Sequence, residues 1–503
     1  MTTIYDNFID GQWQKPASGK YMVVTNPATG EVVAEATEGG ADDVNAAVSA
    51  ARVAFDNPEW RDMPIAERSK LLYQLAQLIG ANATELAELE VSSSGGTISR
   101  IMGLDIPLAM DLLMTLAEEV KQFPFVETLP PKPLPEPVHT QVWREAIGVC
   151  GLIIPWNFPL LLLLFKLAPA LATGNTVVVK PSELTPTSTL RLAEIFSSIL
   201  PAGVFNVVNG MGPEVGEAMS LHPDIDKISF TGSTAIGRRV QKNAAETLKR
   251  VTLELGGKGP AIVLPDADLE RVAYGSLYGV LLNAGQACES GTRLLVHESI
   301  YEPLIERLVA LSAQVPLGNP ADPATGMGPM SSHTHGGKVL GYIESAREVG
   351  ARIACGGNRV SVPGCEGGFF VEPTVIADVT NDMKVAREEI FGPVISVIKD
   401  KRVDDAFALA HDYDYGLSAG VWSEDVAGAQ DIARKLRAGS IWINDWHMMR
   451  ADAPFGGYKQ SGYGREMGRY SLGSYLETKA VTTAFERDSG KKAMHNLVHK
   501  HIA

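Results

Sequence analysis

The sequence predicts an α/β chain built on two parallel sheets, and three observations carry that expectation. From Gly148 onward, short β-rich runs alternate with helical ones, the pattern of a parallel sheet covered by helices. From Pro260 a second alternating set follows, which calls for a second α/β domain. Between the helical first 120 residues and the first set lies the proline-rich stretch Phe123–Pro137. Its composition excludes a helix and predicts an extended crossing segment or projecting arm.

The elements follow in order. Apolar residues recur at helical spacing in Ala41–Phe55 and Ile65–Ile79, so both are expected as amphipathic helices. In the first alternating set, strands are predicted at Thr176–Lys180, Val204–Val208, Lys227–Phe230 and Val251–Leu255, with helices at Thr187–Leu200 and Thr234–Lys249. The second domain is entered near Leu255–Lys258. Its expected strands are Pro260–Leu264, Leu294–His297, Phe369–Val375, Pro393–Ile398, Ser418–Trp422 and Ser440–Asn444, with a helix near Leu269–Leu282. His333 and His335 read as part of a loop. The tail after Glu486 is polar and carries histidines, suited either to fraying or to docking on another subunit.

Composition narrows the function classes. A chain of 503 residues suggests two to four domains. Its net charge of −15 repels phosphate backbones, so no nucleic-acid partner is expected. The four cysteines Cys150, Cys288, Cys355 and Cys365 form no CxxC and are too few for a disulfide scaffold. A reducing, cytoplasmic setting fits them. The opening MTTIYDNFIDGQW is not a basic stretch followed by an apolar one, so no leader is read there. Ala146–Phe165 is uncharged, but its prolines and glycines would expose broken backbone to lipid, so no membrane span is expected.

Four segments bear chemistry. Ile154-Pro-Trp-Asn-Phe-Pro159 is followed by Lys180-Pro-Ser-Glu183; the others are Phe230-Thr-Gly-Ser233 with Gly237, Leu253-Glu-Leu-Gly-Gly-Lys258, and Asn283-Ala-Gly-Gln-Ala-Cys288. An isolated cysteine is more often a small buried hydrophobe than a nucleophile. Cys288, however, sits among Asn, Gly, Gln and Glu289, where backbone N–H groups can approach a developing oxyanion. Glu254 ends an apolar strand before two glycines. At the carboxyl edge of a parallel sheet it would point into the crevice where ligands bind and could act as a general base. Phe230-Thr-Gly-Ser233 precedes a helix start, where amides attract a phosphate, yet the chain lacks GxGxxG, and Gly210, Gly212 and Gly216 are wrongly spaced for it. HExxH and GxxxxGK[ST] are also missing, which argues against a metal site and a P-loop. Glu388 and Glu389 read either as a surface pair or as a ribose clamp.

Together these residues resemble the NAD(P)-dependent aldehyde dehydrogenase superfamily. Eight motifs occur in the family's order: PWNFP, VVVKPSE, FTGSTAIG, LELGGK, NAGQAC, EEIFGPV, YGLSAGVW and PFGGYKQSGYGRE. The likeness runs from about Tyr5 to Thr483. It implies a Rossmann-like cofactor domain, a second α/β catalytic domain and an extended oligomerisation arm. The expected boundaries are residues 1–122 and 146–255 for the cofactor domain and 256–446 for the catalytic domain. Residues 123–145 and 475–490 would form the arm, with 447–474 returning to line the site.

The resemblance also implies roles for single residues. Cys288 would be the nucleophile, Glu254 the general base, and Asn157 with the Cys288 amide the oxyanion hole. Cofactor contacts would fall on Ile153, Ile154, Pro155, Trp156, Lys180, Ser182, Glu183, Gly212, Gly216, Phe230, Gly232, Ser233, Leu255, Glu389 and Phe391. The substrate tunnel would be lined by Phe158, Leu162, Phe165, Leu282, Trp446, His447, Met449 and Phe455. Glu466 matches a position proposed to relay protons, and equally suits a plain salt bridge.

The expected cofactor is NAD, with NADP as the weaker alternative. The expected partners are a small aldehyde and further copies of the chain, as dimer or tetramer. Because the tunnel positions are mostly apolar, a bulky aromatic, terpenoid or medium-chain aldehyde is expected as substrate. The alternatives are a betaine- or semialdehyde-specific enzyme, a CoA-acylating one, a cysteine hydrolase, or a non-catalytic protein on the same fold. Three positions depart from the family's habit: Val91-Ser-Ser-Ser-Gly-Gly-Thr97, Leu281-Leu282, and His335 where Gln is common.

Overall fold

The computed structural model describes residues 3–132, 137–488, 492 and 494–498. Parts of the expected arm (133–136 and 489–490) and of the tail lie outside the described residues. The first sheet has eight strands in the order Gly462–Tyr463, Arg250–Glu254, Lys227–Thr231, Val149–Ile153, Thr176–Lys180, Phe205–Val207, Asn7–Ile9, Gln12–Gln14. The five from Arg250–Glu254 to Phe205–Val207 are mutually parallel. Val149–Ile153 and Thr176–Lys180 are buried throughout, as strands covered by helices on both faces must be.

Chain order reverses between Val149–Ile153 and Lys227–Thr231, which creates a crevice at their carboxyl ends. Register then gathers residues far apart in sequence. Ile153 pairs with Lys180 on one side and Phe230 on the other, and Thr231 pairs with Glu254. All five therefore stand along one edge.

The second sheet has seven strands, ordered Arg352–Cys355, Thr374–Ala377, Val394–Asp400, Arg293–His297, Pro260–Val263, Ser418–Trp422, Ser440–Ile443. All are parallel except the first. Only residues 255–259 separate Glu254, at the end of a strand in the first sheet, from Pro260, at the start of one in the second. This short link sets the carboxyl edge of the first sheet against the amino edge of the second, where the loops holding Cys288 and Glu389 enter Arg293–His297 and Val394–Asp400.

A separate antiparallel sheet joins Leu476–Ala484, Val138–Ala146 and Val126–Thr128. Its strand Leu476–Ala484 is exposed at most positions. Among the described residues no helix is long and apolar enough to cross a membrane. The uncharged Ala146–Phe165 run is instead the strand Val149–Ile153 and the start of helix Pro159–Ala172, which is buried along its whole length.

Two local expectations need correction. Phe369–Val375 is not one strand but two, Phe370–Val371 and Thr374–Ala377. Pro373 between them has no N–H to give a ladder. His333 and His335 are not in a loop: they open helix His333–Glu348, whose N-cap Ser332 accepts from His335 N. The Ser before the periodic run was the missed signal. In the unusual segment Val91–Thr97, helix Ala83–Ser94 ends at Gly95, whose φ of +74° suits a C-terminal glycine.

Candidate active site

The oxyanion candidate is built first by the segment before helix Pro159–Ala172. Pro159 opens that helix, where its missing N–H costs nothing. The buried carboxyl of Glu90 accepts from Leu160 N at 3.1 Å and from the Ser188 hydroxyl, so the turn carrying Asn157 is held from beneath. Burial pushes the Glu90 carboxyl up to about 7. Asn157 Nδ2 donates to Gln286 O at 2.8 Å, and Asn283 Nδ2 donates to Asn157 O at 2.9 Å. These bonds clamp Asn157 to the cysteine loop and leave its second amide hydrogen uncommitted to that carbonyl.

The cysteine loop is strained. Asn283 and Ala284 hold φ of +54° and +55°, a conformation that non-glycine residues rarely adopt. Gln286 pins it, donating from Nε2 to Asn283 O and accepting from Ser331 N. Gly257 passes directly under the loop, and a Cβ there would collide with the Cys288 carbonyl. That close approach accounts for the second glycine of Leu253-Glu-Leu-Gly-Gly-Lys258.

Cys288 is half-buried and lines two cavities that meet at its sulfur. Burial, then the neighbouring Glu289, Glu389 and Glu254 carboxyls, push its thiol well above the ordinary cysteine range. Cys150 and Cys365 are buried elsewhere, and Cys150 is pushed up to about 12. Glu254 ends its strand in the first of the two cavities, buried, with both carboxyl oxygens unpartnered. Burial and the Glu466 carboxyl hold it well above the usual carboxylate range, against the pull of Lys166 and Arg465. Glu466 itself is buried and paired with Lys166 of helix Pro159–Ala172, with Ser229 Oγ 3.3 Å away.

On the side of the first sheet the cavity widens into a long cleft. Ile153, Ile154, Pro155, Trp156, Lys180, Ser182, Glu183, Gly212, Gly216, Phe230, Gly232 and Ser233 all line its outer part. Leu255, Glu389 and Phe391 line the part beside Cys288. Every residue expected at a cofactor is thus brought to one surface. The Ser233 side chain caps helix Thr234–Ala245, presenting that helix's amides to the cleft. Lys180 Nζ donates to Glu183 Oε2 at 3.1 Å and to Pro181 O at 2.7 Å. Glu389 accepts from Gly257 N at 2.9 Å and is pushed up to about 7 by burial; Glu388 is exposed and accepts from Tyr342 instead. Sequence reasoning left His335 in doubt. It lines the cleft, packs edge-on against Trp156 at 5.5 Å, and its Nε2 is 2.7 Å from Phe391 O.

The second cavity is a narrow apolar tunnel. Phe158, Leu161, Leu162 and Phe165 line it from one helical face, joined by Leu282, Met449 and Phe455. Leu104 and Leu108 complete it from the turn Ile101–Asp105 and helix Ile106–Gln122; these two, with Leu161 and Glu289, were missed from sequence. One expected lining residue is misplaced. Trp446 is fully buried beneath the tunnel, packed against Gly279, Gly291 and Gly420, with Nε1 donating to Glu289 O at 2.9 Å. Three glycines leave a slot that only a large flat ring fills, so packing won over the apolar lining role. His447 does reach the tunnel, and contacts Glu289.

Comparison with known proteins follows the same lines. A family model described as "Aldehyde dehydrogenase family" matches residues 13–481. Aldehyde dehydrogenase 1A1 of Homo sapiens is 43% identical over 478 residues, covering 94% of each chain. A solved NAD+ complex of an aldehyde dehydrogenase from Bacillus cereus superposes with a TM-score of 0.92 at 42% identity, covering 96% of this chain and 97% of that one. A betaine aldehyde dehydrogenase from Staphylococcus aureus, solved with NAD+, gives 0.93 at 38% identity, over 96% and 98%.

Proposed function

The chain belongs to the aldehyde dehydrogenase family, and on that premise we propose that it oxidises bulky apolar aldehydes with NAD through a thioester on Cys288. The aromatic, terpenoid and medium-chain aliphatic aldehydes are the candidate substrates. The carrying observation is the tunnel that ends on Cys288: it is lined mainly by leucine, phenylalanine and methionine, with Asn157, Glu289 and His447, and holds neither Lys nor Arg. A semialdehyde with a second carboxylate would lose its hydration there without gaining a cation. It would also face Glu289.

The residues fit a dinucleotide. Lys180 and Glu183 stand where they can hold ribose hydroxyls, the capped helix at Ser233 suits a phosphate, and Thr231 Oγ1 is buried on the cleft without a partner. NAD, when bound, accepts the hydride released by the substrate carbon. The chain supplies the rest. Sγ of Cys288 adds to the carbonyl carbon while Asn157 Nδ2 and the Cys288 N–H hold the oxyanion. Glu254, once ionised, takes a proton from the water that cleaves the thioester. The first sheet with its helices is read as the cofactor-binding part and the second as the catalytic part, with residues 447–474 returning to line the site.

A matrix of aldehydes and cofactors tests this reading. With NAD, kcat/KM should rise from acetaldehyde to hexanal or benzaldehyde, because each buried methylene adds about 0.8 kcal/mol, about fourfold. Succinic semialdehyde and betaine aldehyde should lie below hexanal. NADP should be the poorer cofactor, since the Glu183 carboxylate repels a 2′-phosphate. Highest kcat/KM for succinic semialdehyde would overturn the substrate class, and equal values for the two nucleotides would overturn the cofactor preference.

Self-association is proposed through the sheet of Leu476–Ala484, Val138–Ala146 and Val126–Thr128. Its exposed strands leave edges that another copy can pair. Light scattering should give the mass of a dimer or tetramer; a monomeric mass would contradict the proposal.

A further inference from the structure

The residue after the nucleophile is an acid, and the tunnel side of the site is organised around it. Glu289 Oε2 lies 3.3 Å from Cys288 Sγ, in line to accept the thiol proton. Its other oxygen, Oε1, is 3.0 Å from His447 Nδ1, and both side chains are almost wholly buried. The backbone around Glu289 is fixed as well, because its carbonyl accepts from Ser418 Oγ at 2.8 Å and from Trp446 Nε1.

His447 cannot rotate freely. Its Nε2 is 3.1 Å from Gly279 O, which can only accept, so Nε2 carries a hydrogen; Nδ1 donates to Glu289 Oε1 only in the imidazolium form, with hydrogens on both ring nitrogens. Tyr278 stands edge-on against the ring, and the backbone of His447 is held at φ +56°. A non-glycine residue kept in that region is a feature the surrounding structure must enforce.

We propose that Glu289, oriented by His447, takes the Cys288 thiol proton as sulfur attacks the aldehyde, and returns it when the thiolate departs. This rests on the reading of Cys288 as nucleophile. In the first step the S–H bond breaks, its proton goes to Glu289 Oε2, the S–C bond forms, and the carbonyl π pair moves to oxygen. After water has attacked the thioester, the C–S pair returns to sulfur, and Glu289 gives back the proton. Glu289 is a catalytic residue in this scheme, and His447 a positioning residue.

The surroundings of the two carboxyls beside Cys288 act in opposite directions, which divides their work. Burial opposes ionisation of Glu289, but the His447 contact, its own backbone N–H and the Cys288 thiol outweigh it and hold the carboxyl below the usual range. Glu254 is held above that range. The ionised acceptor at rest is therefore Glu289, and Glu254 is left to the water step.

The test is the first turnover, with hexanal or whichever aldehyde of the panel reacts fastest. In Glu289→Gln the pre-steady-state NADH burst should slow by about 10²-fold, within the range for a lost general base. Thiol addition then limits the burst, so the isotope effect of aldehyde deuterated at C1 should vanish from it. NAD binding should change little. A carboxylate acting only by repulsion raises the thiol's pKa, so its removal would leave the burst as fast or faster; that result overturns the proposal. If the Gln chain does not fold, Glu289→Asp answers instead. It moves the acceptor one methylene from sulfur and should slow the burst, and an unchanged rate overturns the idea. Cys288→Ala separates the premise, since it removes all turnover whether or not Glu289 is the base.

Discussion

Cys288→Ala is expected to abolish aldehyde-dependent NADH formation, by a factor on the order of 10⁶ as for other covalent nucleophiles. Among the four cysteines only Cys288 lies where the cofactor cleft and the apolar tunnel meet. No neighbouring group can form the thioester in its place. Lys180 and Glu183 line the outer part of the cleft and not the cavity that Cys288 lines, so NAD binding should survive, as titration by fluorescence quenching would record. Replacing Cys150, Cys355 or Cys365 should leave the chemistry intact. Turnover above a trace in the alanine variant would rule out the covalent route.

Glu254→Gln should separate the two halves of the reaction. The first turnover should still release NADH as a burst, while steady-state turnover falls by about 10²–10⁴-fold because the hydrolytic water loses its base. The sign of the pH dependence follows from the surroundings of Glu254. Burial and Glu466 favour its neutral form, and the neutral form cannot accept a proton. Steady-state turnover of the native chain should therefore rise with pH as Glu254 ionises, and the glutamine variant should lose that rising limb. Stopped-flow absorbance at several pH values would check both points. Unchanged steady-state turnover in the variant would reassign the base.

Much of this site was legible in the sequence because its parts sit where local rules are strong. A glutamate at the end of an apolar strand, followed by two glycines, must stand at the carboxyl edge of a parallel sheet, and Glu254 does. The Ser before the run Thr234–Ala245 similarly marks a helix start facing a cleft. What stayed hidden depends on contacts between distant segments. Leu104 and Leu108 reach the tunnel only because the turn Ile101–Asp105 and the helix after it pack beside Phe158. The Arg100 guanidinium lies 4.4 Å over that ring and pairs with the buried Asp105 at 3.1 Å. The pairing of Glu289 with His447, 158 positions later, has no local signature. Trp446 was misread because its apolar character suits a tunnel wall and a core slot equally well. Only the three glycines opposite it, on three different segments, decide between them.

The central claim is that aldehyde carbon passes through a thioester on one named sulfur. Peptide mass spectrometry of Glu254→Gln, quenched after mixing with hexanal and NAD, tests it most directly. The peptide containing Cys288 should carry the mass of the hexanoyl group, and those containing Cys150, Cys355 and Cys365 should not. A chain that forms NADH under these conditions with no acyl group on Cys288, or with the group on another residue, would contradict the account.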